Sequence, residues 1–423
     1  MHVSIPTYVI NLKDRIDRKN HILREFESRN EFDVKIVEAK QHESGSIGLW
    51  NSIRYIIDEL ISVNQEYILI CEDDHQFTKH YSKAHLFGAI NAAIEQQAGV
   101  LLGGVSWLSS IFSLRDSIYW VESFNGTQFM ILFRQSFEKI LRAEFTNKDN
   151  ADLKISELIS SKFLIYPFIS TQKGFGYSDI TARNADIGSL AQLFIEAEAS
   201  VKYMLDGERF YKSLISKTED EEDHHAYDET SIRTFLIHSN TAENNEFSCS
   251  RLFEEKNEFN TKVMTYDKSR CNLHRDISTL RRIINLSIEE DNDVIIYCSS
   301  KRVFSEEYNR NTFIKCIIDA YGMGADLIYG ADGGHFNHAV PLSKQLLWVD
   351  HYTSLEFTII FRSLFFSILH ETTDDRESLE DFISRLSTNK LLLFPSIFHL
   401  PGNNVSTSRL WTIQDNFSKS IQN

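Results

Sequence analysis

The sequence predicts an α/β protein made of two tandem Rossmann-like domains. Short apolar runs alternate with amphipathic helical runs, which is typical of α/β sandwiches, and the whole alternation occurs twice. The runs EYILICEDDHQFTKHY (66–81) and DVIIYCSSKRVFSEEY (293–308) match in one register. Because a long self-match in one register indicates a duplicated domain, we expect two similar cores, each with a sheet covered by helices.

The duplication continues on both sides of these runs. At an offset of 227 residues Cys71, Phe77 and Tyr81 face Cys298, Phe304 and Tyr308, and at an offset of 228 Trp120, Phe129, Phe133, Arg134 and Pro167 face Trp348, Phe357, Phe361, Arg362 and Pro395. We expect a first domain at 1–186, a helical connector with an acidic linker at 187–230, and a second domain at 231–423. Residues kept in both copies are expected to hold the fold, and charges lost from one copy are expected to carry chemistry.

The first domain shows its elements in chain order. PTYVINL (6–12), VKIVEA (34–39) and YILICE (67–72) predict strands, and GLWNSIRYIIDELISV (48–63) predicts an amphipathic helix. RIDRKNHILREFESRN (15–30) predicts a helix whose apolar side carries Ile16, Ile22, Leu23 and Phe26. GVLLGG, SIYWVESF and GTQFMILF predict further strands of a mainly parallel sheet, and residues 187–216 predict a long helix.

Composition narrows the function classes. With 42% hydrophobic and 25% charged residues, the chain of 423 residues is typical of a globular protein that buries two cores. The formal charge of −16 argues against a nucleic-acid partner, since phosphate backbones attract basic surfaces. No signal-peptide pattern or membrane-spanning apolar run is visible, and the five cysteines lack paired spacing. We expect a cytoplasmic protein with reduced thiols, and attachment to the inner-membrane surface stays open.

Glu72, Asp73 and Asp74 stand where an apolar strand stops. Ligands of such sheets bind beyond the carboxyl ends of the strands. Three adjacent carboxylates repel one another unless a cation neutralises them, and their oxygens suit Mg²⁺ or Mn²⁺, which often bridge to a diphosphate. An acidic surface loop is the alternative, but the second copy has Ser299-Ser300-Lys301 within a matching apolar frame. The pattern therefore favours a metal site in the first domain.

The order of several motifs resembles glycosyltransferase family 25, which includes bacterial lipopolysaccharide sugar transferases and collagen galactosyltransferases. The motifs are YVINLKDRIDRK, GSIGLWNS, YILICEDDHQF, NGTQFMILFRQSFEKIL and YPFISTQKGFGYSDI, within residues 5–185. The resemblance implies a GT-A fold, a nucleotide sugar such as a UDP-sugar as donor, and a divalent metal at a DxD-type motif. It makes Asp74 the direct metal ligand, with Glu72 and Asp73 contacting the ribose or supporting the metal.

Asn11, Arg15 and Arg18 are expected to bind the donor. They follow the first strand, where arginines suit phosphates or uracil, and an exposed helix start with local charge pairs is the alternative. Their counterparts in the second copy are His238, Ala242 and Asn245. This cluster therefore disappears together with the carboxylates.

The segment GSIGLWNS adds Gly48 and Ser52 to the donor-binding group through the resemblance. The family usually has a Ser-His pair there, whereas Ile53 follows Ser52 in this chain. His75, directly after the carboxylates, is a candidate replacement, and a supporting or solvent-facing histidine is the alternative. His224-His225, in the acidic run from Lys217, is better explained as part of a solvated linker.

Three further carboxylates are candidates for a general base that activates an acceptor hydroxyl. Asp179, in KGFGYSDIT, aligns with Thr407 and is also a candidate metal ligand. Glu122 aligns with Asp350 and keeps its charge, which points to structure, and Asp116 lies in the polar loop SLRDS. Trp107 and Trp120 are candidates for stacking on a sugar, although the match of Trp120 with Trp348 favours core packing for that residue.

These features predict a metal-dependent glycosyltransferase that moves a sugar from a nucleotide sugar to a hydroxyl of a saccharide or a peptide, and the resemblance implies that the anomeric configuration inverts. The second domain is expected to be inactive and to bind the acceptor or support a homodimer. A metal-dependent nucleotidyltransferase is a second hypothesis, although no glycine-rich, basic nucleotide loop is visible near the N-terminus. A non-catalytic binding protein made of two transferase-like domains is a third.

Overall fold

The duplication is visible in a computed structural model that describes residues 4–115, 117–175, 187–215, 230–239, 250–266, 272–298, 303–306, 308–343, 345–374 and 377–399. The chain divides into two compact units between Met204 and Leu205. Each unit is a mixed α/β structure with its own sheet and its own buried apolar core. The predicted fold class of two tandem Rossmann-like domains is confirmed.

The first unit contains ten strands and five complete helices among its described residues. The strands are β1 (Ile5–Asn11), β2 (Phe32–Glu38), β3 (Tyr67–Glu72), β4 (His75–Phe77), β5 (Val100–Leu102), β6 (Trp107–Arg115), β7 (Ile118–Asn125), β8 (Phe129–Phe133), β9 (Lys162–Ile165) and β10 (Ser170–Gln172). The helices are α1 (Ile16–Phe26), α2 (Gly45–Tyr55, continued by a π-helical turn over Ile56–Leu60), α3 (Lys83–Glu95), α4 (Arg134–Arg142) and α5 (Ala151–Leu158). Helix α6 (Ile187–Ile215) follows, close to the predicted 187–216.

The main sheet of the first unit has the order β6-β7-β9-β5-β8-β3-β1-β2. The pairs β1/β2, β1/β3 and β5/β9 are parallel, whereas β8 lies antiparallel between β3 and β5. Strands β6 and β7 add two more antiparallel pairings at the far edge. The expectation of a mainly parallel sheet is therefore wrong: β8 runs opposite to both of its neighbours, and β6 and β7 are joined by only two residues, too short a connection for a parallel crossover.

Helix α1 departs from the predicted apolar side. Ile22 and Phe26 are buried as expected, but Ile16 is 65% exposed and Leu23 is 45% exposed. The buried positions at the start of the helix are taken by the polar side chains of Arg18 and His21. Helix α1 therefore directs the positive charge of Arg18 into the protein. The residues that contact Arg18 define the candidate site.

The second unit repeats the strand order of the first, and its described helices correspond to α2, α3, α4 and α5. Its strands are β11 (Ile232–Ser239), β12 (Phe259–Tyr266), β13 (Val294–Cys298), β14 (Val303–Phe304), β15 (Leu327–Tyr329), β16 (His338–Pro341), β17 (Leu346–Val349), β18 (Phe357–Phe361), β19 (Lys390–Leu393) and β20 (Phe398–His399). Its helices are α7 (Asn272–Glu289), α8 (Arg310–Gly322), α9 (Arg362–His370) and α10 (Leu379–Leu386). The sheet order, β12-β11-β13-β18-β15-β19-β17-β16, reproduces that of the first unit strand by strand.

Within the described ranges, every helix is either too short or too polar to cross a bilayer.

Candidate functional site

The predicted carboxylates lie at the carboxyl ends of two adjacent parallel strands. Strands β1 and β3 pair in parallel with Ile10 opposite Glu72, so Asn11 ends one strand beside the end of the other. Asp73 and Asp74 form the turn that follows β3. The chain then enters β4, whose antiparallel partner β10 places Gln172 opposite His75. This edge is where ligands of such sheets bind.

Asp73 and Asp74 share one cation, Arg18. Arg18 Nη1 lies 3.1 Å from Asp73 Oδ1 and 3.1 Å from Asp74 Oδ2, and all three side chains are at most 14% exposed. Asn11 Nδ2 donates to the other oxygen of Asp73 at 2.8 Å. Gln172 Nε2 lies 3.4 Å from Asp74 Oδ1. The structure therefore brings together four predicted site residues: Asn11, Arg18, Asp73 and Asp74.

Glu72 is held by the loop between β7 and β8. The Thr127 hydroxyl donates to Glu72 Oε1 at 2.5 Å. The buried carboxylate of Asp152, at the start of α5, accepts from the N–H of Gly126 at 2.9 Å, where φ is +129°. A positive φ favours glycine at that position. Asp152 thus fixes the loop that places Thr127 on Glu72.

Burial dominates the electrostatics of the cluster. Burial and then the neighbouring charge of Asp74 raise the pKa of Glu72, although the hydrogen bond from Thr127 opposes the shift. Burial also raises the pKa of Asp74, against the opposing charge of Arg18. Both shifts arise because desolvation and like charge disfavour the ionised carboxylate. The charge of Arg18 opposes the rise in the pKa of Asp74 but does not cancel it.

His75 lies inside the core and does not face solvent. It is fully buried, and its Nδ1 atom lies 2.8 Å from Ser170 Oγ. Its ring packs edge-on against Phe77 at 4.4 Å between ring centroids, and its Nε2 atom has no hydrogen-bond partner among the described residues. Burial lowers the pKa of His75 well below its usual value. The alternative of a solvent-facing histidine is wrong.

Gly48 and Ser52 make local contacts that shape helix α2. Ser52 Oγ donates to Gly48 O at 2.8 Å and accepts from the N–H of Lys40 at 2.8 Å. A Cβ atom at position 48 would lie 2.7 Å from Lys40 O, so only glycine fits without a shift. Arg15 is half-buried at the start of α1, and its carbonyl accepts from Asn11 Nδ2 at 3.3 Å.

The remaining candidates fall into two groups. Glu122 lies on β7 and accepts from Ser109 Oγ at 3.3 Å, whereas Asp116 and Asp179 lie outside the described residues. Trp107 is 49% exposed at the start of β6. Trp120 is 2% exposed, and its indole N–H donates to Ser160 O, so its predicted packing role is confirmed.

Several residues near the carboxylates were missed from the sequence. Thr127 and Gln172 contact Glu72 and Asp74. The backbone N–H of Lys173 donates to Asp74 O at 2.8 Å, and the ring of Phe175 lies 4.8 Å from the guanidinium carbon of Arg18. The repeat contained a signal for all four, since Thr127, Gln172, Lys173 and Phe175 align with Leu355, Leu400, Pro401 and Asn403.

The carboxylates after β3 offer a small set of oxygen ligands for a divalent cation. No group of three or more histidine, cysteine, aspartate or glutamate side chains with metal-binding geometry occurs in the described part of the chain. Both oxygens of Asp73 already have partners. Glu72 and Asp74 are the pair whose mutual repulsion a cation would relieve. Two carboxylates suit Mg²⁺ or Mn²⁺, which commonly take one or two protein carboxylates and complete their shell with water and phosphate.

No family model matches the chain, and no curated protein matches it either. Among solved structures, A197 from STIV is 12% identical and covers 40% of this chain and 85% of its own, with a TM-score of 0.30. Apo-UDP-glucose pyrophosphorylase is 11% identical over 47% of this chain and 81% of its own, with a TM-score of 0.28. The inositol-1-phosphate CTP transferase from T. maritima is 12% identical and covers 44% of this chain and 76% of its own, with a TM-score of 0.23. Likeness at this level carries no inference about the site.

Proposed function

We propose that the first unit is a divalent-metal-dependent glycosyltransferase that uses a nucleotide sugar. One observation carries the proposal: Asn11, Arg18, Asp73 and Asp74 meet in a single bonded cluster beyond β1 and β3. All four are replaced in the second copy, which nevertheless keeps the same sheet order. A charged cluster that the fold does not require is best explained by a ligand.

The donor set supports a cation bound with a diphosphate. Asp74, with Glu72 beside it, would hold Mg²⁺ or Mn²⁺, and Asp179 is a further candidate ligand. When bound, the metal neutralises charge that develops on the leaving diphosphate. Asp73 is engaged by Asn11 and Arg18, so its role is to keep Arg18 at the site.

The protein's own residues account for the rest of the transfer. Arg18 and the exposed Lys173 supply positive charge for diphosphate oxygens. Asp179 removes the proton of the acceptor hydroxyl as that oxygen attacks the anomeric carbon, with Glu122 and Asp116 as rival bases. The bond from the anomeric carbon to the diphosphate oxygen breaks, and the nucleoside diphosphate departs. Single displacement of this kind inverts the anomeric configuration.

The resemblance to glycosyltransferase family 25 refines the substrates. It favours a UDP-sugar as donor and a saccharide or peptide hydroxyl as acceptor, and it includes enzymes of lipopolysaccharide biosynthesis. The second unit is proposed to be an inactive copy that binds the acceptor or supports a homodimer.

A product analysis separates this proposal from its two rivals. The purified full chain is incubated with a panel of nucleotide sugars, with Mn²⁺ or with a chelator, and the products are identified by mass spectrometry. A glycosyltransferase releases nucleoside diphosphate and free or transferred sugar only with Mn²⁺. A nucleotidyltransferase instead needs added pyrophosphate and yields nucleoside triphosphate and sugar 1-phosphate. A binding protein turns over none of the panel.

A further inference from the structure

Asp73 and Asp74 are held unequally. Arg18 Nη1 is 3.1 Å from both carboxylates. Asn11 Nδ2 also holds Asp73, at 2.8 Å, whereas the other oxygen of Asp74 has only the 3.4 Å contact with Gln172 among the hydrogen bonds described for it. Separation of Arg18 from Asp74 therefore disturbs less of the cluster than separation from Asp73.

A divalent cation on Asp74 would meet the guanidinium of Arg18. Two positive groups on one carboxylate repel each other strongly where water is largely excluded, and the Arg18 side chain is 9% exposed. The cation can therefore bind Asp74 Oδ2 only if Arg18 moves. Arg18 would keep Asp73 but lose Asp74, and a buried guanidinium that loses one of its two anions is destabilised. A second negative group would therefore replace Asp74 favourably. A diphosphate is suited to this, because arginine binds phosphate oxygens through paired hydrogen bonds.

From these steps, and resting on the proposed function, we infer that Arg18 occupies the cation position in the metal-free protein and makes metal binding depend on the nucleotide. Free metal binds weakly because it competes with Arg18. A metal-bound nucleoside diphosphate binds tightly because the cation takes Asp74 while the diphosphate takes Arg18. By linkage, nucleotide raises metal affinity by the same factor by which metal raises nucleotide affinity. The site thus selects metal–nucleotide complexes over free cations.

Binding of Mn²⁺ to the full chain tests this inference without measuring activity. Free Mn²⁺ is followed by electron paramagnetic resonance, with and without UDP, in the wild type, Arg18→Met and Arg24→Met, and mixtures of Mn²⁺ and UDP without protein correct for the Mn²⁺ that UDP binds in solution. Arg24 is exposed on the same helix and is the matched control for loss of one positive charge. In the wild type and in Arg24→Met, UDP is expected to tighten Mn²⁺ binding by about tenfold or more. In Arg18→Met, Mn²⁺ alone is expected to bind about tenfold tighter than in the wild type, and the effect of UDP is expected to shrink to about threefold or less.

Other outcomes overturn the inference in distinct ways. Weaker binding of Mn²⁺ alone in Arg18→Met would mean that Arg18 supports the cation and does not compete with it. If that variant fails to fold, the wild type decides, since equal Mn²⁺ affinity with and without UDP removes the proposed dependence. Arg18→Lys, which keeps the charge but loses the planar donor geometry, is expected to keep Mn²⁺ alone weak and to reduce the effect of UDP. Absence of Mn²⁺ binding in every protein, with or without UDP, contradicts the metal-dependent function itself.

Discussion

The two units keep the same contacts where side chains support the fold. The indole N–H of Trp120 donates to Ser160 O at 2.9 Å, and that of Trp348 donates to Thr388 O at 3.0 Å. The ammonium groups of Lys162 and Lys390 each donate to two carbonyls at the end of a helix. Such contacts persist because a buried carbonyl without a donor is destabilising.

The charged cluster diverges as a group. In the sequence Asn11, Arg18, Asp73 and Asp74 align with His238, Asn245, Ser300 and Lys301. Joint loss is expected for charges that neutralise one another, since removal of one partner leaves the others buried and unpaired. The second unit has the same sheet order without these charges, and this comparison is the basis of the proposal that they serve a ligand and not the fold.

The largest expected effect is that of Asp74→Asn, which sharpens this contrast. The change keeps the side-chain volume and removes the proposed metal ligand, so metal-dependent donor turnover is expected to fall by about 10⁴-fold or more, equal to about 5 kcal/mol of lost transition-state stabilisation. The melting temperature is expected to stay within about 4 °C of the wild type. Asp33→Asn, at an exposed position of the same unit, is the control. Unchanged turnover of the donor with Mn²⁺ in Asp74→Asn would remove Asp74 from the metal site.

Asp179→Asn tests the second carboxylate that the repeat singles out. If Asp179 is the base, kcat is expected to fall by about 10²- to 10⁴-fold with little change in thermal melting. Steady-state kinetics with a matched unfolding scan make the measurement. A loss below about tenfold would move the assignment of the base to Glu122 or Asp116.

Much of the fold was predictable because apolar patterns report burial. Strands β1 and β3 and helix α6 fall within one residue of the runs that predicted them, and β8 lies inside its run, 126–133. The sheet was expected to be mainly parallel and is mixed, because strand polarity depends on which strands pair and an apolar run does not encode that. The exposure of Ile16 and Leu23 has a related cause, since Arg18 takes part of the helix face that the pattern assigned to apolar side chains.

The sequence predicts part of the candidate site by one criterion: charged or polar residues that are present in the first copy and replaced together in the second. That criterion found Asn11, Arg18 and the carboxylates. It did not predict that Arg18 would be the cation that neutralises Asp73 and Asp74, because the rotation of α1 about its axis decides which side chains face the strand ends. The same criterion also marks Thr127, which aligns with Leu355, but it does not predict the contact of Thr127 with Glu72, since that contact depends on the path of the short loop between β7 and β8.

Trp120 and its counterpart Trp348 test whether the contacts kept in both units stabilise the two cores equally. Both side chains are at most 3% exposed, so Trp120→Ala and Trp348→Ala are each expected to lower the free energy of unfolding by about 3–5 kcal/mol. Hydrogen exchange measured by mass spectrometry assigns each loss to one unit, and Trp107→Ala, at a half-exposed position, is the control. A large loss for one tryptophan and none for the other would show that the two cores are not equivalent.

Lys162 and its counterpart Lys390 predict a smaller effect, a dependence of the free energy of unfolding on pH. Burial lowers the pKa of both Lys162 and Lys390 to about 8. Since the unfolded value is about 10.4, the unfolded chain binds more protons above pH 8, and the free energy of unfolding rises with pH in that window. Between pH 8 and 9.5 the wild type is expected to gain up to about 2 kcal/mol relative to Lys162→Met. Lys390→Met is expected to give the same trend, and denaturation at several pH values checks both.

The last prediction is the absence of an effect: the second unit is expected to bind neither UDP nor Mn²⁺. In the sequence Lys301 stands where Asp74 stands in the first copy, and an ammonium group repels a divalent cation at that position. Calorimetric titration of the full chain with UDP and Mn²⁺ is therefore expected to give one binding event per chain, and Asp74→Asn is expected to abolish it. The reverse substitution, Lys301→Asp, restores only one carboxylate without an arginine or asparagine to position it, so the stoichiometry should stay at one. Two events per chain in the wild type would mean that the second unit is a diverged second site, and the loss of its charges would then no longer separate function from fold.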